Sequence, residues 1–400
     1  MSWQKVKLKD VSLLIDYGLT ASADVECDGP LFLRITDLGD GGVNWSKVPR
    51  CVCDEKRKQK NLLERGDIVF ARTGATTGKS YLISDVSEDT VFASYLIRVR
   101  TTQKIYSPFL AYFFKSPNYW HQIGGMSSGA TLPGVNASKL SELEIPLPPL
   151  DEQKRIAAIL DKADAIRQKR KQAIELADEF LRSVFLDMFG DPVSNPKGWE
   201  VKTAGQCIVD GLILEVQDGN HGNDHPKVSD FVETGIPFVA ANVIRKGRVI
   251  FDKCYYLDSD WLNKLRIGFA KPRDVVLTHK GTLGLCAVLD DTFDDYIFSP
   301  QTTYYRLNEC KLVPEYLEGY FSSKAFQRLL QKEGKQSTRA YIGITRQKEL
   351  PIIVPPVEKQ REFLRVKKAF KTMDSKESKS QKDLDSFFCS LSQKAFSGQL

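Results

Sequence analysis

The feature that most constrains this chain is an internal repeat at an offset of 207 residues. Residues 146–156 read Pro-Leu-Pro-Pro-Leu-Asp-Glu-Gln-Lys-Arg-Ile, and residues 353–363 read Ile-Val-Pro-Pro-Val-Glu-Lys-Gln-Arg-Glu-Phe. The same offset, without a gap, places Gln153 on Gln360 and Phe189 on Phe396. Two copies with so long a period indicate a duplicated unit and not a solenoid of short repeats.

The earlier parts of the two copies align with slips of a residue or more, as loops do. Residues 66–74 align with residues 273–281 at the offset of 207, and Trp3 resembles Trp199, which follows the linker 191–196. Each copy is therefore predicted to be a globular domain of about 145 residues followed by a long helix. The predicted segments are residues 1–147, 148–190, 191–354 and 355–400.

A long helix is predicted after each globular domain. The Pro-Pro pairs at 148–149 and 355–356 cannot continue an upstream helix, and residues 151–188 and 357–397 then contain neither Gly nor Pro. Apolar residues recur in both segments with a heptad period, which is typical of a two-stranded coiled coil. The residues predicted to pair are Ile156, Ile159, Ala163, Ile166, Arg170, Phe180, Phe363, Phe370, Glu377 and Phe387.

We expect the two helices to run antiparallel, because each follows its own copy of a duplicated domain. A pseudo-twofold axis would then pass near the middle of both helices, where Arg170 is predicted to approach Glu377. A helix of 38 residues, such as 151–188, extends about 57 Å and would hold two similar domains at a fixed distance. That arrangement suits a ligand with two similar sites along a line, such as duplex DNA. The alternative is that each helix packs only on its own domain.

A Gly-rich hairpin is predicted at the same place in both domains, with turns at residues 73–78 and 279–284. Both turns combine Gly with Thr and cationic residues. Such loops can bring the backbone close to phosphates and reach base edges with hydroxyl and cationic groups. The alternative is an ordinary polar hairpin.

Further polar loops are found in both copies. A predicted strand runs into Asp37 in the first domain and into Asn242 in the second, and small polar loops precede the strand that leads to each long helix. The candidate binding residues of these loops are Arg34, Asp37, Ser127, Ser128, Thr131, His221, Asn242, Gln336, Ser337, Thr338 and Arg339.

Composition excludes several classes of protein. The 57 Lys and Arg residues against 51 Asp and Glu give a net charge of +6, which permits nucleic-acid binding without arguing for it. Residues 357–400 carry ten cations and six anions, so much of the excess lies in the second helix and not in the globular domains. The absence of a long apolar run and of an apolar leader predicts a cytoplasmic protein.

No motif for catalysis or metal binding is found in the sequence. The eight cysteines are scattered, and the close pair Cys51 and Cys53 has no second Cys or His pair at zinc spacing. The turn at 74–80 lacks the spacing of a phosphate-binding loop and precedes a strand, which excludes nucleotide binding there. The chain also lacks the Asn-Pro-Pro-aromatic or Asp-Pro-Pro-aromatic motif of adenine methylation.

Taken together, these features resemble the specificity subunit of type I restriction–modification enzymes. The order of the motifs, the duplication and the heptads make the resemblance specific, and it covers the whole chain. The residues that carry it are 147–156 and their echo 354–361, the hairpins around Gly74 and Gly281, and residues 235–238 and 395–398.

The resemblance implies an α+β fold in which two duplicated α/β target-recognition domains are separated by two long helices that pair as an antiparallel coiled coil. Each domain would read one half of a bipartite, asymmetric DNA site, and the helices would set the spacer. Carried over residue by residue, the DNA contacts of the hairpins would come from Arg72, Thr73, Thr76, Thr77, Lys79, His279, Lys280 and Thr282.

The resemblance also implies partners. Two methyltransferase subunits would dock on the helices and use S-adenosylmethionine to methylate adenine at N6, and restriction subunits that use ATP and Mg could join. The chain itself would have no catalytic activity and no bound cofactor or metal. The alternatives are the recognition subunit of a related type II enzyme, a coiled-coil scaffold that binds protein and not DNA, and a self-sufficient methyltransferase, which the missing motif disfavours.

Overall fold

The computed structural model describes residues 3–39, 42–74, 76–86, 88–127, 134–219, 225–245, 247–334 and 340–400, with only the backbone described for residues 126–127 and 371–382. The chain forms two compact units, Met1–Gln172 with Ser378–Leu400, and Ala173–Glu377. Each unit therefore contains one globular domain and one half of each long helix. The units differ from the four predicted segments because the two halves of each long helix pack into different cores.

The first globular domain mixes short strands and helices. Its strands are β1 (Lys5–Lys7), β2 (Ser12–Tyr17), β3 (Ala23–Asp24), β4 (Leu31–Leu33), β5 (Leu38–Gly39), β6 (Gly42–Val43), β7 (Arg50–Cys51), β8 (Ile68–Ala71), β9 (Ser80–Leu82), β10 (Thr90–Phe92), β11 (Leu96–Thr101) and β12 (Glu144–Pro146). Its helices are α1 (Glu55–Asn61), α2 (Ser107–Phe113), α3 (Pro117–Ser127) and α4 (Ala137–Ser141), and the long helix α5 (Leu150–Phe189) follows. Short 3-10 turns lie at Leu8–Val11, Ile35–Asp37 and Trp45–Lys47.

The second domain repeats this order. Its strands are β13 (Glu200–Thr203), β14 (Ile213–Asp218), β15 (Phe231–Val232), β16 (Ile236–Val239), β17 (Ile244–Arg245), β18 (Arg248–Val249), β19 (Tyr255–Leu257), β20 (Phe269–Ala270), β21 (Val275–Thr278), β22 (Cys286–Val288), β23 (Tyr296–Phe298), β24 (Thr302–Leu307) and β25 (Pro351–Val354). Its helices are α6 (Ala204–Val209), α7 (Trp261–Lys264), α8 (Pro314–Ser322), α9 (Lys324–Gly334) and α10 (Ile344–Gln347), and the long helix α11 (Val357–Ser397) follows. The 3-10 turns are Val228–Asp230, Ala241–Val243 and Phe251–Lys253.

The two domains share one sheet plan. The first has strand orders β10–β4–β7–β3 and β2–β11–β8–β9, and the second has β15–β19–β16–β23–β20 and β14–β24–β21–β22. A parallel pair occurs at the same place in each, β4 with β10 and β16 with β23. An antiparallel ladder, β1–β12 or β13–β25, ties the start of each domain to the strand before its long helix. The predicted duplication therefore extends to the strand order.

The strands β8 and β21 are buried along their whole length because both of their faces are covered. In β8, Ile68 and Phe70 face a core built with α2 and the end of α11, whereas Val69 faces the other sheet. In β21, Val275 packs with α8 and the end of α5, whereas Val276 faces the second sheet. Because successive side chains of a strand point to opposite faces, each of these strands contributes to a core formed with helices on one face and to a core formed with the second sheet on the other.

Two glutamines make the same hydrogen bonds at the start of each long helix. Gln153 donates from Nε2 to the carbonyl of Pro148 (2.9 Å) and accepts at Oε1 from the N–H of Tyr106 (2.7 Å). Gln360 does the same with Pro355 (2.8 Å) and Val313 (2.8 Å). Both side chains are fully buried, so each gives backbone groups a hydrogen-bond partner inside the protein.

Inside each unit the two half-helices run antiparallel, as predicted. In the first unit Arg155 donates to the carbonyl of Leu400 (2.9 Å), and Arg167 lies 3.7 Å from Asp385. In the second unit the Phe180 and Phe370 rings are 5.1 Å apart, and Phe185 and Phe363 are 5.4 Å apart. In both cases residue numbers rise along α5 as they fall along α11.

The residues predicted to pair differ in burial between the two apolar positions of the heptad. At the first of these positions Ile156 and Phe363 are buried, and Ala163, Arg170 and Phe370 are partly buried.

Ile166, Phe180 and Phe387 are 57%, 51% and 58% exposed, and Ile159 is half-buried. These residues belong to the second apolar position of the heptad. The buried residues there lie one place later in the sequence, at Leu160 and Phe388. Arg167 lies at the matching place, with its guanidinium over the Phe388 ring (4.6 Å). Because this residue is polar, the apolar pattern of the sequence indicated the neighbouring position instead.

The side chain of Glu377 is not among the described ones, so the predicted approach of Arg170 to Glu377 lies outside the described part of the structure. Among the described residues, no helix is long and apolar enough to cross a membrane.

Candidate nucleic-acid interfaces

In the first domain the predicted hairpin forms between β8 and β9, and its turn lies beside the segment that follows another predicted loop. The N–H of Val135 donates to the carbonyl of Arg72 (3.1 Å), and Thr73 forms an antiparallel bridge with Gly134. Residues 72–74 and 76–79 of the turn and residues 134–135, here called the first loop pair, therefore meet where β8 ends. Ser128 and Thr131 lie outside the described residues, as does the side chain of Ser127.

The turn of the first hairpin is held by its own hydrogen bonds. Thr77 donates from Oγ1 to the carbonyl of Gly74 (2.7 Å), and the backbone N–H of Lys79 donates to Thr76 (2.9 Å). Thr73 and Lys79 are exposed, whereas Thr76 and Thr77 are half-buried. The turn therefore presents a hydroxyl and an ammonium group to solvent on a backbone of defined shape.

The second domain repeats this meeting of loops. The N–H of Ile342 donates to the carbonyl of His279 (2.9 Å), and Lys280 forms an antiparallel bridge with Tyr341. Residues 279–284 and 340–342, the second loop pair, thus lie side by side, with the side chains of Lys280 and Thr282 exposed. Gln336, Ser337, Thr338 and Arg339 lie outside the described residues.

His279 does not reach solvent from this turn. Its side chain is 1% exposed, with Nδ1 3.2 Å from the carbonyl of Ile342 and Nε2 3.6 Å from Oδ1 of Asp218. In this conformation the ring cannot touch a duplex, and its place in the hairpin is structural. The other predicted histidine, His221, lies outside the described residues.

Arg34 and Asp37 bind each other. Asp37 accepts from Nε and Nη2 of Arg34 (3.1 and 2.9 Å), and these hydrogen bonds raise the pKa of the guanidinium. The pair caps the 3-10 turn that leads into the β5–β6 hairpin, where Tyr81 accepts from the N–H of Val43 (3.4 Å). Asn242 lies on the matching 3-10 turn of the second domain and is exposed.

Sequence reasoning missed the residues behind the loop pairs. The last residue of β2, Tyr17, lies under the guanidinium of Arg72 (4.9 Å) and accepts at its hydroxyl from the N–H of Ala137 (3.0 Å). Asp218, the last residue of β14, contacts His279 in the same place. Comparing the two copies could have found them, because both sit at the end of the edge strand that pairs beside the hairpin.

Two charged pairs support the sheets below the loops. Asp67 accepts from Nε and Nη2 of Arg100 (2.8 Å each), and Asp274 accepts in the same way from Arg306 (3.1 and 2.8 Å). Burial raises the pKa of Asp274, and the bonds from Arg306 counter this. These four residues are thus engaged within the fold.

No group of three or more His, Cys, Asp or Glu side chains in the described part of the chain could hold a metal ion. Burial, and then the neighbouring thiol of Cys53, raises the pKa of Cys51 to about 12, so this thiol is poorly suited to form a thiolate ligand.

Comparison with known families gives a direct match for the first half of the chain. Residues 2–176 match the family model described as the type I restriction modification DNA specificity domain. The MjaIX specificity subunit of Methanocaldococcus jannaschii is 30% identical over 178 residues, which are 41% of this chain and 38% of that protein. This match thus spans well under half of the relative's length.

Longer matches extend over both domains. The EcoKI specificity subunit of Escherichia coli (strain K12) is 25% identical over 375 residues, covering 88% of this chain and 78% of that protein. The crystal structure of a type I restriction–modification S subunit from M. genitalium superposes with a TM-score of 0.54 at 15% identity, covering 99% of this chain and 96% of that one. That superposition shows a shared fold.

Proposed function

Because this chain belongs to the family of type I restriction–modification specificity subunits, we propose that it recognises a bipartite, gapped DNA site and delivers adenine-N6 methyltransferase subunits to it. One observation carries the proposal. In both domains the same backbone hydrogen bond joins a Gly-rich turn to the segment that follows a second predicted polar loop: Val135 donates to Arg72, and Ile342 donates to His279. Two equivalent loop pairs in one chain suit a target with two half-sites.

The loop pairs have the chemistry that DNA reading requires. Thr73, Lys79, Lys280 and Thr282 are exposed hydroxyl and ammonium groups on fixed turns, which can contact phosphates and base edges. Ser128, Thr131 and residues 336–339 lie outside the described residues and are further candidates for contacts with DNA. Cations barely exceed anions in the globular domains, with 18 cations and 16 anions in residues 1–150, so we expect partner subunits to supply part of the phosphate contact.

The long helices supply a docking surface for methyltransferase subunits. Phe180 and Phe387 occupy the same position in the two copies, and both rings are more than half exposed. A large aromatic side chain left open at the same place in two repeats suits two copies of one partner. Two methyltransferase subunits, and in some assemblies restriction subunits, are the partners that we propose.

In this proposal the chain is not itself an enzyme and works in the cytoplasm. S-adenosylmethionine, ATP and Mg belong to the partner subunits, since the sequence contains no adenine-methylation motif of its own. A related type II enzyme would use the same two-domain recognition subunit, and the genes beside this one would distinguish the two. The duplicated loop pairs argue against a scaffold that binds only protein.

Sequencing of modified bases in the host genome, with and without this gene, tests the proposal. We expect N6-methyladenine to disappear at a single gapped motif when the gene is deleted. Exchange of residues 1–145 for another such domain should change only one half of that motif. An unchanged pattern of methylation after deletion would contradict the proposal.

A further inference from the structure

The second domain contains a buried polar network directly behind its loop pair. Thr303 donates from Oγ1 to Oδ1 of Asp218 (2.8 Å), and Gln347 donates from Nε2 to Oγ1 of Thr303 (3.0 Å). Tyr305 donates its hydroxyl to Oε1 of Gln347 (2.8 Å), and His279 lies 3.6 Å from Oδ1 of Asp218. None of these five side chains is more than 7% exposed, so they are removed from water together.

The first domain has apolar residues at three of these five places. Strand pairing puts Ile97 opposite Tyr17 just as it puts Thr303 opposite Asp218. The apolar residues at the places of Thr303, Tyr305 and Gln347 are Ile97, Val99 and Leu140, all fully buried. The fold itself therefore does not require polar groups at these positions.

The network is tied to both members of the second loop pair. Gln347 donates a second hydrogen bond from Nε2 to the carbonyl of Ile342 (2.9 Å), and Nδ1 of His279 faces the same carbonyl (3.2 Å). The N–H of Ile342 in turn donates to the carbonyl of His279 (2.9 Å). The start of the hairpin turn and the segment after residues 335–339 are thus held to β14 and β24 by one set of hydrogen bonds.

Such a network is costly unless its geometry serves a purpose. Burying hydroxyl, amide and carboxylate groups carries a desolvation cost that hydrogen bonds only offset, and an apolar set of similar volume is often at least as stable. What directional hydrogen bonds add is a single arrangement of the groups they join. The arrangement joined here is that of the two loops.

We propose that Asp218, Thr303 and Gln347 are positioning residues that fix the second loop pair for reading one half of the DNA site. This inference rests on the proposed function. The first domain meets the same need with different chemistry, because Arg72 stacks on Tyr17, and Tyr17 accepts from Ala137. Each loop pair is therefore braced at the end of its edge strand, and the two half-sites depend on separate braces.

Selection from a pool of DNA duplexes with randomised positions, using the full chain, tests this inference. Thr303→Val removes the hydroxyl at nearly constant volume, and Thr303→Ser retains it. Thr303→Val removes the hydrogen bond to Asp218 and the one from Gln347. We expect it to lower base discrimination at least about tenfold in the half-site of the second domain, since the loss of one buried hydrogen bond can already produce a change of that size. Thr303→Ser should keep that discrimination. Arg72→Ala is the matched control and should change only the other half-site.

The outcomes separate the inference from the function on which it rests. If Thr303→Val selects both half-sites as the unsubstituted chain does, the network has no positioning role. If the unsubstituted chain selects no gapped motif, the proposed function fails and the inference fails with it. Should thermal melting show that Thr303→Val does not fold, His279→Gln serves in its place, with the same loss expected and the same unchanged selection overturning the inference.

Discussion

The indole Nε1 of Trp3 donates to the carbonyl of Ala395 (3.2 Å), so the start of the chain is bonded to the end of its last helix. Trp199 makes the equivalent bond to Phe189 at the end of α5 (2.9 Å). The end of α11 is therefore bonded to the start of the first domain in the same way as the end of α5 is bonded to the start of the second domain. Within the first unit, residues nearly 400 positions apart in sequence form one core.

Substitution of Phe396 should therefore destabilise the first domain. Its ring is 8% exposed and lies 5.2 Å from Phe109 and 5.5 Å from Phe113 in α2. We expect Phe396→Ala to reduce the free energy of unfolding of the first unit by about 3 kcal/mol. Hydrogen exchange should show the loss of protection in α2, nearly 300 residues away in sequence.

Ser397→Ala is the control for this effect, because Ser397 is exposed on the same turn of the helix. It should leave exchange in α2 unchanged. Loss of protection confined to the last residues of α11 in Phe396→Ala would show that the C-terminal helix end is not part of the first core.

The repeat allowed much of this packing to be predicted. Because the offset of 207 holds without a gap through the helix entries, the alignment of Gln153 with Gln360 identified residues that make identical hydrogen bonds. The hairpin turns were also found, since Gly at positive φ marks them, as at Gly74 and Gly281.

The rest depended on partners that a periodic pattern does not contain. Phe180 and Phe387 satisfy the heptad pattern but lie one position away from the row of buried residues on their helices. In the sequence His279 has the pattern of a cationic loop residue, yet its side chain is buried beside Asp218, which lies 61 positions earlier. Apolar rings are thus exposed at the two positions to which we assign partner docking, and a polar ring is buried beside the positioning residue Asp218.

The two buried glutamines provide a matched pair for stability. Gln153→Leu would leave the N–H of Tyr106 and the carbonyl of Pro148 without their partner, at a cost of about 2 to 3 kcal/mol in the first unit. Gln360→Leu should cost a similar amount in the second unit. Urea unfolding followed by domain-specific hydrogen exchange would locate each loss.

The exposed Gln172→Leu serves as the control for both, and it should change the free energy of unfolding by less than about 0.5 kcal/mol. Equal losses in both units from either glutamine variant would contradict the assignment of each glutamine to its own domain.

Salt dependence separates free cations from those engaged within the fold. Lys280 is exposed on the second hairpin turn, so Lys280→Ala should weaken DNA binding and reduce the slope of log K against log salt by about 0.9. The double variant Arg34→Ala/Asp37→Ala removes a pair that already neutralises itself, and the slope should stay the same. Fluorescence anisotropy at several salt concentrations measures both, and equal slopes for the two variants would argue against a phosphate contact by Lys280.

Thiol reactivity should follow burial. Burial raises the pKa of Cys207 to about 11 and that of Cys254 to about 12, so at pH 8 at most about one in a thousand of these thiols is ionised. Cys310 and Cys389 are exposed and should be alkylated first by iodoacetamide, as peptide mass spectrometry would show. Raising the pH toward 11 should increase the reaction of Cys207, because its thiolate fraction rises with pH. In denaturant all eight cysteines should react alike, and rapid alkylation of Cys207 in the native protein at pH 8 would contradict its burial.

The exposed phenylalanines allow the two proposed docking positions to be removed one at a time. The Phe387 ring is 58% exposed, so Phe387→Ala should change the free energy of unfolding little, whereas loss of an aromatic anchor at an interface commonly costs 2 kcal/mol or more of binding, about thirtyfold in affinity. Native mass spectrometry of the assembly with its methyltransferase should then show one bound copy where the unsubstituted chain binds two. Phe180→Ala should remove the other copy, with a further small loss of stability because its ring stacks on Phe370.

Ser386→Ala and Glu179→Ala, exposed neighbours on the same two helices, should bind two copies as the unsubstituted chain does. Because Phe180 and Phe387 are equivalent positions of one repeat, the two single variants should lose affinity to a similar extent, and the double variant should bind neither copy. If the double variant still binds two methyltransferase subunits, the partner docks on another surface of the chain, and the exposure of these two rings has a different cause.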